Sequence, residues 1–385
     1  MSDPGLLEAS AVNPAPQPVD PAPLETRRNR NEALLNIGLY LLCIGVAIGA
    51  SAILIAITGG PWRDVLNSLL DGSVRKPGRW GDTLAEAAPL LVVALGAIIS
   101  SRAGLVNIGQ EGQLLFGAAC MAMVATRGSG PFVLILALAA GIVGGAFWSG
   151  LAALLKYWRK VPEVITTLLL VFIASQLTGY MLTRQSLLLD SDPNRPNRTQ
   201  TSGQLSAETR LPSIRIFGNE FPVSVVIALA LALLVAFVMA RTVWGFKLRM
   251  VGQNASTAQR AGVSAVAAGS IALAIGGGLA GLSGGMMLAG GVANYRYTPG
   301  FANSVGWEGL LVALVARNRP LVAIPVAIVF GALRTGSGFL ASTGVEREIV
   351  DIVRSLLVLA LLIPPAVSFI RTRRRALRAA AVKGA

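Results

Sequence analysis

RAGLVNIGQEGQLLFGA, residues 102–118, sets one carboxylate (Glu111), two glutamines (Gln110, Gln113), an asparagine (Asn107) and four glycines between two long apolar runs. That much polarity is costly in hydrocarbon, so these side chains face protein, water or a solute rather than lipid. The glycines at 104, 109, 112 and 117 let backbones approach closely and let a helix break without a steric penalty. The stretch reads as a polar crossing site at the inner end of two membrane helices.

The surrounding chain supports that reading. Of 385 residues, 54% are hydrophobic and only 14% are charged, against about 25% charged in an ordinary soluble domain. Apolar segments approaching the length of about 20 residues that a membrane helix needs recur along the sequence. The expected fold is all-α: a polytopic membrane helix bundle of about ten transmembrane helices. They fall at 34–57, 84–100, 110–126, 132–155, 162–182, 222–240, 266–290, 304–316, 320–340 and 349–370.

The remaining segments fall into place around these spans. Residues 1–33 are expected to be a disordered cytoplasmic tail and 371–385 a basic cytoplasmic tail. Residues 183–220 form an external loop, and 241–263 an inner one. Both termini are then cytoplasmic, with most Lys and Arg on the inner side, as the positive-inside rule expects. The net charge of +14 is explained by that bias and does not call for nucleic acid as a partner.

Composition excludes several chemistries. The chain has no histidine, which removes the Ser-His-Asp and Cys-His triads and every His-ligated metal site. Cys43 and Cys120 lie in apolar stretches without a CxxC or metal-ligand neighbour and read as packing residues. No lysine is followed by Ser or Thr, so the phosphate-binding GK[ST] signature is absent. No catalytic residue, metal or cofactor is expected in this chain. Any energy source must come from another subunit or from an ion gradient.

A faint internal echo directs attention to a second place. QEGQLL (110–115) opens the third span from inside, and WEGLL (307–311) opens the eighth from outside, each following a glycine-rich run. Opposite polarity at equivalent places is what an inverted repeat of spans 2–5 and 7–10 produces, with the solute path at the repeat interface. Glu111 and Glu308 could equally be helix starters, since carboxylates favour the first turn. Their company, Asn107, Gln110 and Gln113 near one and Asn303 and Trp307 near the other, points to a solute pathway. Asp351 and Arg354, three residues apart, read as a structural ion pair on one helix. The inner loop is longer than a connection requires, and its composition suits a short surface helix able to dock on a cytoplasmic partner.

RAGLVNIGQEGQLLFGA resembles the signature of permease subunits of nucleoside and simple-sugar ABC importers, in the larger family that includes branched-chain amino acid and ribose permeases. LRMVGQNASTAQRAGV (248–263) is similar to that family's coupling segment, and GWEGLLVALVARNRP (306–320) to its later membrane motif. The resemblance covers roughly residues 34–370 and is tightest to the longer of two paired permeases in nucleoside systems. It implies a bacterial inner-membrane permease that translocates nucleosides, with simple sugars as the alternative. It implies three protein partners: a paired permease, a cytoplasmic ATPase with two fused nucleotide-binding halves that holds ATP and Mg, and an extracytoplasmic solute-binding lipoprotein. Contact with the ATPase falls to Arg249, Gly252, Asn254, Arg260 and Gly262. The family commonly has Pro after the coupling Asn, whereas this chain has Ala255, which leaves the start of the coupling helix open. An ion-coupled secondary transporter using Glu111 or Asp351 is the competing class, and uptake by the lone chain would distinguish it.

Overall fold

The computed structural model describes residues 22–57, 59, 65–190, 200–216, 218–341, 350–364, 367 and 370. Each of the ten apolar segments is helical where described. The first half holds α1 (Ala22–Ile57), α2 (Val65–Leu70), α3 (Arg79–Arg102), α4 (Gln110–Ala125), α5 (Pro131–Arg159) and α6 (Glu163–Met181). A hairpin of β1 (Ser213–Ile216) and β2 (Asn219–Pro222) precedes the second half. That half comprises α7 (Val223–Arg241), α8 (Val243–Gln253), α9 (Ala255–Arg260), α10 (Ala265–Ala289), α11 (Val305–Val315) and α12 (Pro320–Ala341). Residues 350–364 form α13.

Among the described residues, six helices, α3, α5, α6, α7, α10 and α12, are long and apolar enough to cross a membrane. The expected eighth span is not a crossing helix. At 11 residues, α11 reaches about 16 Å, roughly half the hydrocarbon thickness. Left-handed backbone at Asn303 and Ser304 breaks the chain before it, and Arg317 and Asn318 (φ 52° and 54°) turn the chain after it. Likewise α4, with 16 residues, covers only about 24 Å.

The first helix begins earlier than expected and takes in residues 22–33. LETRRNRNEALL is built of good helix formers, and Pro23 suits a first turn. Residues 1–21 and the basic tail 371–385 lie outside the described residues.

The core is a central antiparallel pair, α3 against α10. Ser100 on α3 donates to the Ala272 carbonyl (3.5 Å) and Ser283 on α10 donates to the Pro89 carbonyl (2.9 Å). A Cβ on Gly96 would meet the Gly276 carbonyl at 2.6 Å. As the position on α3 rises, its contact on α10 falls. Around this pair the neighbours are exchanged: α11 and α12 pack on α3, while α4 and α5 pack on α10. That is the pairing an inverted repeat generates, each half's first helix gripped by the other half's next two. The α5–α10 crossing depends on absent side chains, because a Cβ on Gly281 would run into the Gly141 carbonyl and one on Gly145 into that of Gly277. Close backbone approach of this kind supplies the packing that lipid cannot.

The loop expected outside is an ordered lobe where described. β1 and β2 pair antiparallel, and Leu189 bridges to Ser202. The lobe is tied to the α10–α11 connection by Ser202 N–H to Tyr297 O (2.9 Å), Leu205 N–H to Tyr295 O (3.0 Å) and the Arg296–Asp190 ion pair (3.0 Å). Residues 191–199 of the loop lie outside the described residues.

Candidate functional site: a polar junction in the middle of the bundle

After α3 ends, residues 103–109 break the helical path. Gly104 adopts φ 76°, and the chain then runs without regular secondary structure until α4 begins. Asn107 and Gln113 clasp across this break: Asn107 Nδ2 donates to Gln113 Oε1 (3.0 Å) and Gln113 Nε2 donates to Asn107 Oδ1 (2.9 Å). Asn107 Oδ1 also accepts from Gly109 N–H (3.1 Å). Both amides are buried and bonded to each other in both directions, so they hold the break in shape. Ile108 N–H donates to Thr167 Oγ1 (3.3 Å), which ties it to α6.

The first turn of α4 meets the first turn of α11. Glu111 Oε1 accepts from Ser304 N–H (3.0 Å) and Oε2 from Gly306 N–H (2.6 Å). Ser304 provides no side-chain cap of its own, so the Glu111 carboxylate caps α11 from another helix and neutralises its positive end. The depth follows from α11. Its far end reaches Asn318, whose carbonyl accepts from Arg102 Nε (3.1 Å) and Nη2 (2.7 Å) at the end of α3. Glu111 thus lies about 16 Å along a helix, α3, of about 36 Å. The polar cluster sits midway through the bundle and not at its inner end, because α11 is a half-length helix that starts inside.

Glu308 serves differently from its counterpart. Its Oε2 pairs with Arg334 Nη1 (3.0 Å) and its Oε1 with Arg354. Arg334 also holds Glu86 Oε2 through Nε (2.9 Å) and donates to the Asn303 carbonyl (3.1 Å). Two carboxylates and two guanidiniums from α3, α11, α12 and α13 form one neutral chain. The expected Asp351–Arg354 pair does not form. Arg354 reaches across to Glu308, and Asp351 is exposed with no side-chain partner among the described residues.

Two cavities flank this chain. One of about 540 Å³ lies between α3, α12 and the hairpin, lined by Glu86, Arg334, Glu220 and Tyr295. The other, of about 480 Å³, lies between α11 and α13 and is lined by Asn303, Trp307, Glu308, Asp351 and Arg354. Gln110 is fully buried, and neither amide atom finds a partner among the described residues. No group of three or more potential metal ligands occurs among the described residues.

The inner loop folds as two short helices. Asn254 ends α8 and caps α9, its Oδ1 accepting from the Ser256 and Thr257 N–H groups (3.1 Å each). The helix therefore begins at Ala255, and an N-cap asparagine followed by Ser and Thr does without proline. Gly262 (φ 77°) closes α9, with Val263 N–H bonded back to Ala258 O (2.9 Å). Apart from Ala258, α9 is exposed, Arg260 included. Gly252 presses on the end of α3, where a Cβ would collide with the Arg102 carbonyl and the Gly104 amide. Arg249 adds its charge to those of Arg102 and Arg319 at this end. Gly252 of α8 thus abuts the start of the 103–109 break.

A profile described as branched-chain amino acid transport system, permease component, covers residues 81–362. The chain belongs to that family. Among the permease's relatives, the guanosine ABC transporter permease protein NupP of Bacillus subtilis is 29% identical over 86% of this chain and 94% of its own length. The nucleoside ABC transporter permease protein NupB of Lactococcus lactis is 27% identical over 89% of this chain and 94% of its own. The glucose ABC transporter permease protein TsgB13 of Haloferax volcanii is 32% identical over 73% of this chain and 75% of its own. The first two organisms each have a second, more distant permease relative, NupQ and NupC. The permease is therefore a multi-pass membrane protein of an ABC transporter.

Of the sequence-selected residues, the fold brings Asn107, Gln110, Glu111, Gln113, Asn303, Trp307 and Glu308 to one junction, and Arg249, Gly252, Asn254, Arg260 and Gly262 to one end. Glu86, the partner of Arg334, went unnoticed in the sequence. Its signal was a carboxylate inside an otherwise apolar span, the same signal that marks Arg334 and Arg354.

Proposed function

We propose that the permease is the membrane subunit of an ATP-driven nucleoside importer, which alternates access around the mid-bundle junction of α4 and α11. It pairs with a second related permease and is driven through α8 and α9 by a cytoplasmic ATPase with two fused nucleotide-binding halves, which holds ATP and Mg. A solute-binding lipoprotein delivers the nucleoside at the lobe end, and both termini are cytoplasmic. The observation that carries this reading is the junction itself. Two buried helix starts and a neutral ion chain lie midway through an apolar bundle, in a chain whose relatives along 86% and 89% of its length are nucleoside permeases. The paired permeases of two organisms support the heterodimer. The exposed α9, braced on α3 through Gly252, supports coupling from that end.

The four proteins reconstituted together are expected to accumulate labelled guanosine in an ATP-dependent manner, whereas this chain alone in liposomes accumulates nothing against a gradient. Concentrative uptake by the lone chain would place it among ion-coupled transporters and end this reading. A sugar as solute has one observation in its favour, the 32% identity to a glucose permease. Competition of guanosine against glucose in the same vesicles separates the two.

A further inference from the structure

The cavity between α11 and α13 has a volume of about 480 Å³, within the range of about 300–1,000 Å³ that small-molecule sites occupy. Its wall combines an aromatic plane, Trp307, with Glu308, Asp351, Arg354 and Ser355. Lipid does not cover such a set of charges, so water, protein or a solute does.

Much of its hydrogen-bonding capacity is unused. Asp351 is exposed and has no side-chain partner among the described residues. Each Glu308 oxygen meets one guanidinium, whereas an ionised carboxylate accepts about four bonds. Arg354 commits one Nη to Glu308 and keeps further donors. The pseudo-symmetric comparison sharpens this. Glu111 commits its carboxylate to the α11 backbone, while Glu308, at the equivalent place, stands on a cavity wall.

We propose that this cavity is a solute station, in which a heterocyclic base stacks on Trp307 while Glu308, Asp351 and Arg354 read the donor–acceptor edge of the base. The proposal rests on the nucleoside-importer reading and deepens it. Aromatic stacking combined with edge hydrogen bonds is how proteins hold an unpaired base. A guanidinium and a carboxylate side by side complement the adjacent acceptor and donor of a 6-oxopurine. The class of solute is therefore a purine nucleoside with a carbonyl on the base.

The test uses the complete transporter in proteoliposomes with saturating, guanosine-loaded binding protein. Trp307→Ala is expected to lower the maximal guanosine uptake rate about ten-fold, on the scale of aromatic–base stacking, and Trp307→Phe to restore it to within about three-fold. In a background with Cys43 and Cys120 replaced by serine, Ser355→Cys is expected to react with a membrane-impermeant thiol reagent. Guanosine should slow that reaction several-fold, and glucose and ribose should not. If the wild type imports guanosine but guanosine gives no protection, the station is wrong and the importer reading stands. Protection by glucose or ribose equal to that by guanosine overturns the recognition of a base. Loss of the partner permease from Trp307→Ala in pull-downs makes the cavity an assembly interface and overturns the proposal. A wild type that imports sugar and no nucleoside removes the importer reading and this proposal together.

Discussion

Removing the Glu111 carboxylate should loosen α11 from a helix about 190 residues away in sequence. In alanine at this position, the Ser304 and Gly306 N–H groups lose their acceptor, and Ser304 offers no side-chain cap in its place. Each buried N–H left unsatisfied costs about 1–3 kcal/mol, and the helix-end charge contributes up to about 2 kcal/mol in a partly buried setting. Glu111→Ala should therefore destabilise the protein by about 3–5 kcal/mol, the range seen when one partner of a buried charged contact is removed. Glu111→Gln keeps one accepting oxygen, but the NH2 in place of the other cannot accept, so one N–H is left unsatisfied and the charge is lost; about 2–3 kcal/mol is expected. Thermal unfolding of the detergent-solubilised protein, followed by tryptophan fluorescence, gives the order wild type, Gln, Ala, and Trp307 reports from the affected turn. An alanine variant as stable as the glutamine variant would refute the capping argument. In the assembled transporter, Glu111→Gln should lower uptake while the ATPase still co-purifies, because the change lies far from α9.

Gly252→Ala places a Cβ against the Arg102 carbonyl and Gly104; overpacking of about 1–3 kcal/mol should appear as a lower melting temperature and weaker ATP-driven uptake. Asn254→Ala removes the α9 cap at a cost of about 1 kcal/mol and should weaken ATPase co-purification, with Asn254→Asp close to the wild type. Gly262→Arg forces a side chain into φ 77° and should abolish coupled uptake while membrane insertion, followed by fractionation, persists. Arg334→Gln strands Glu86, leaves Glu308 with Arg354 alone, and should cost about 3–5 kcal/mol. Arg334→Met combined with Glu86→Gln should recover part of that loss, read as yield of folded protein in detergent.

Taken alone, the sequence determined the class of molecule and the places of interest. Long apolar runs and sparse charge require helices in lipid, since only helices or closed barrels satisfy the backbone there. A carboxylate, amides and glycines inside such runs mark 102–118 and 303–308 as polar interior. The start of α9, which the sequence left open, is set by a local bond, Asn254 acting on N–H groups two and three residues away. Tertiary structure decided what those residues touch. Glu111 caps a helix 195 residues downstream at Gly306, and Arg354 leaves Asp351, its neighbour on the same turn, for Glu308 on another element. The half-length of α11, which puts the cluster at mid-depth, depends on left-handed backbone at Asn303 and Ser304, a conformation asparagine tolerates but nothing local requires. Short-range hydrogen bonds can be read from spacing; pairings between distant helices follow only from how the two halves grip each other, and single-chain periodicity carries no record of that.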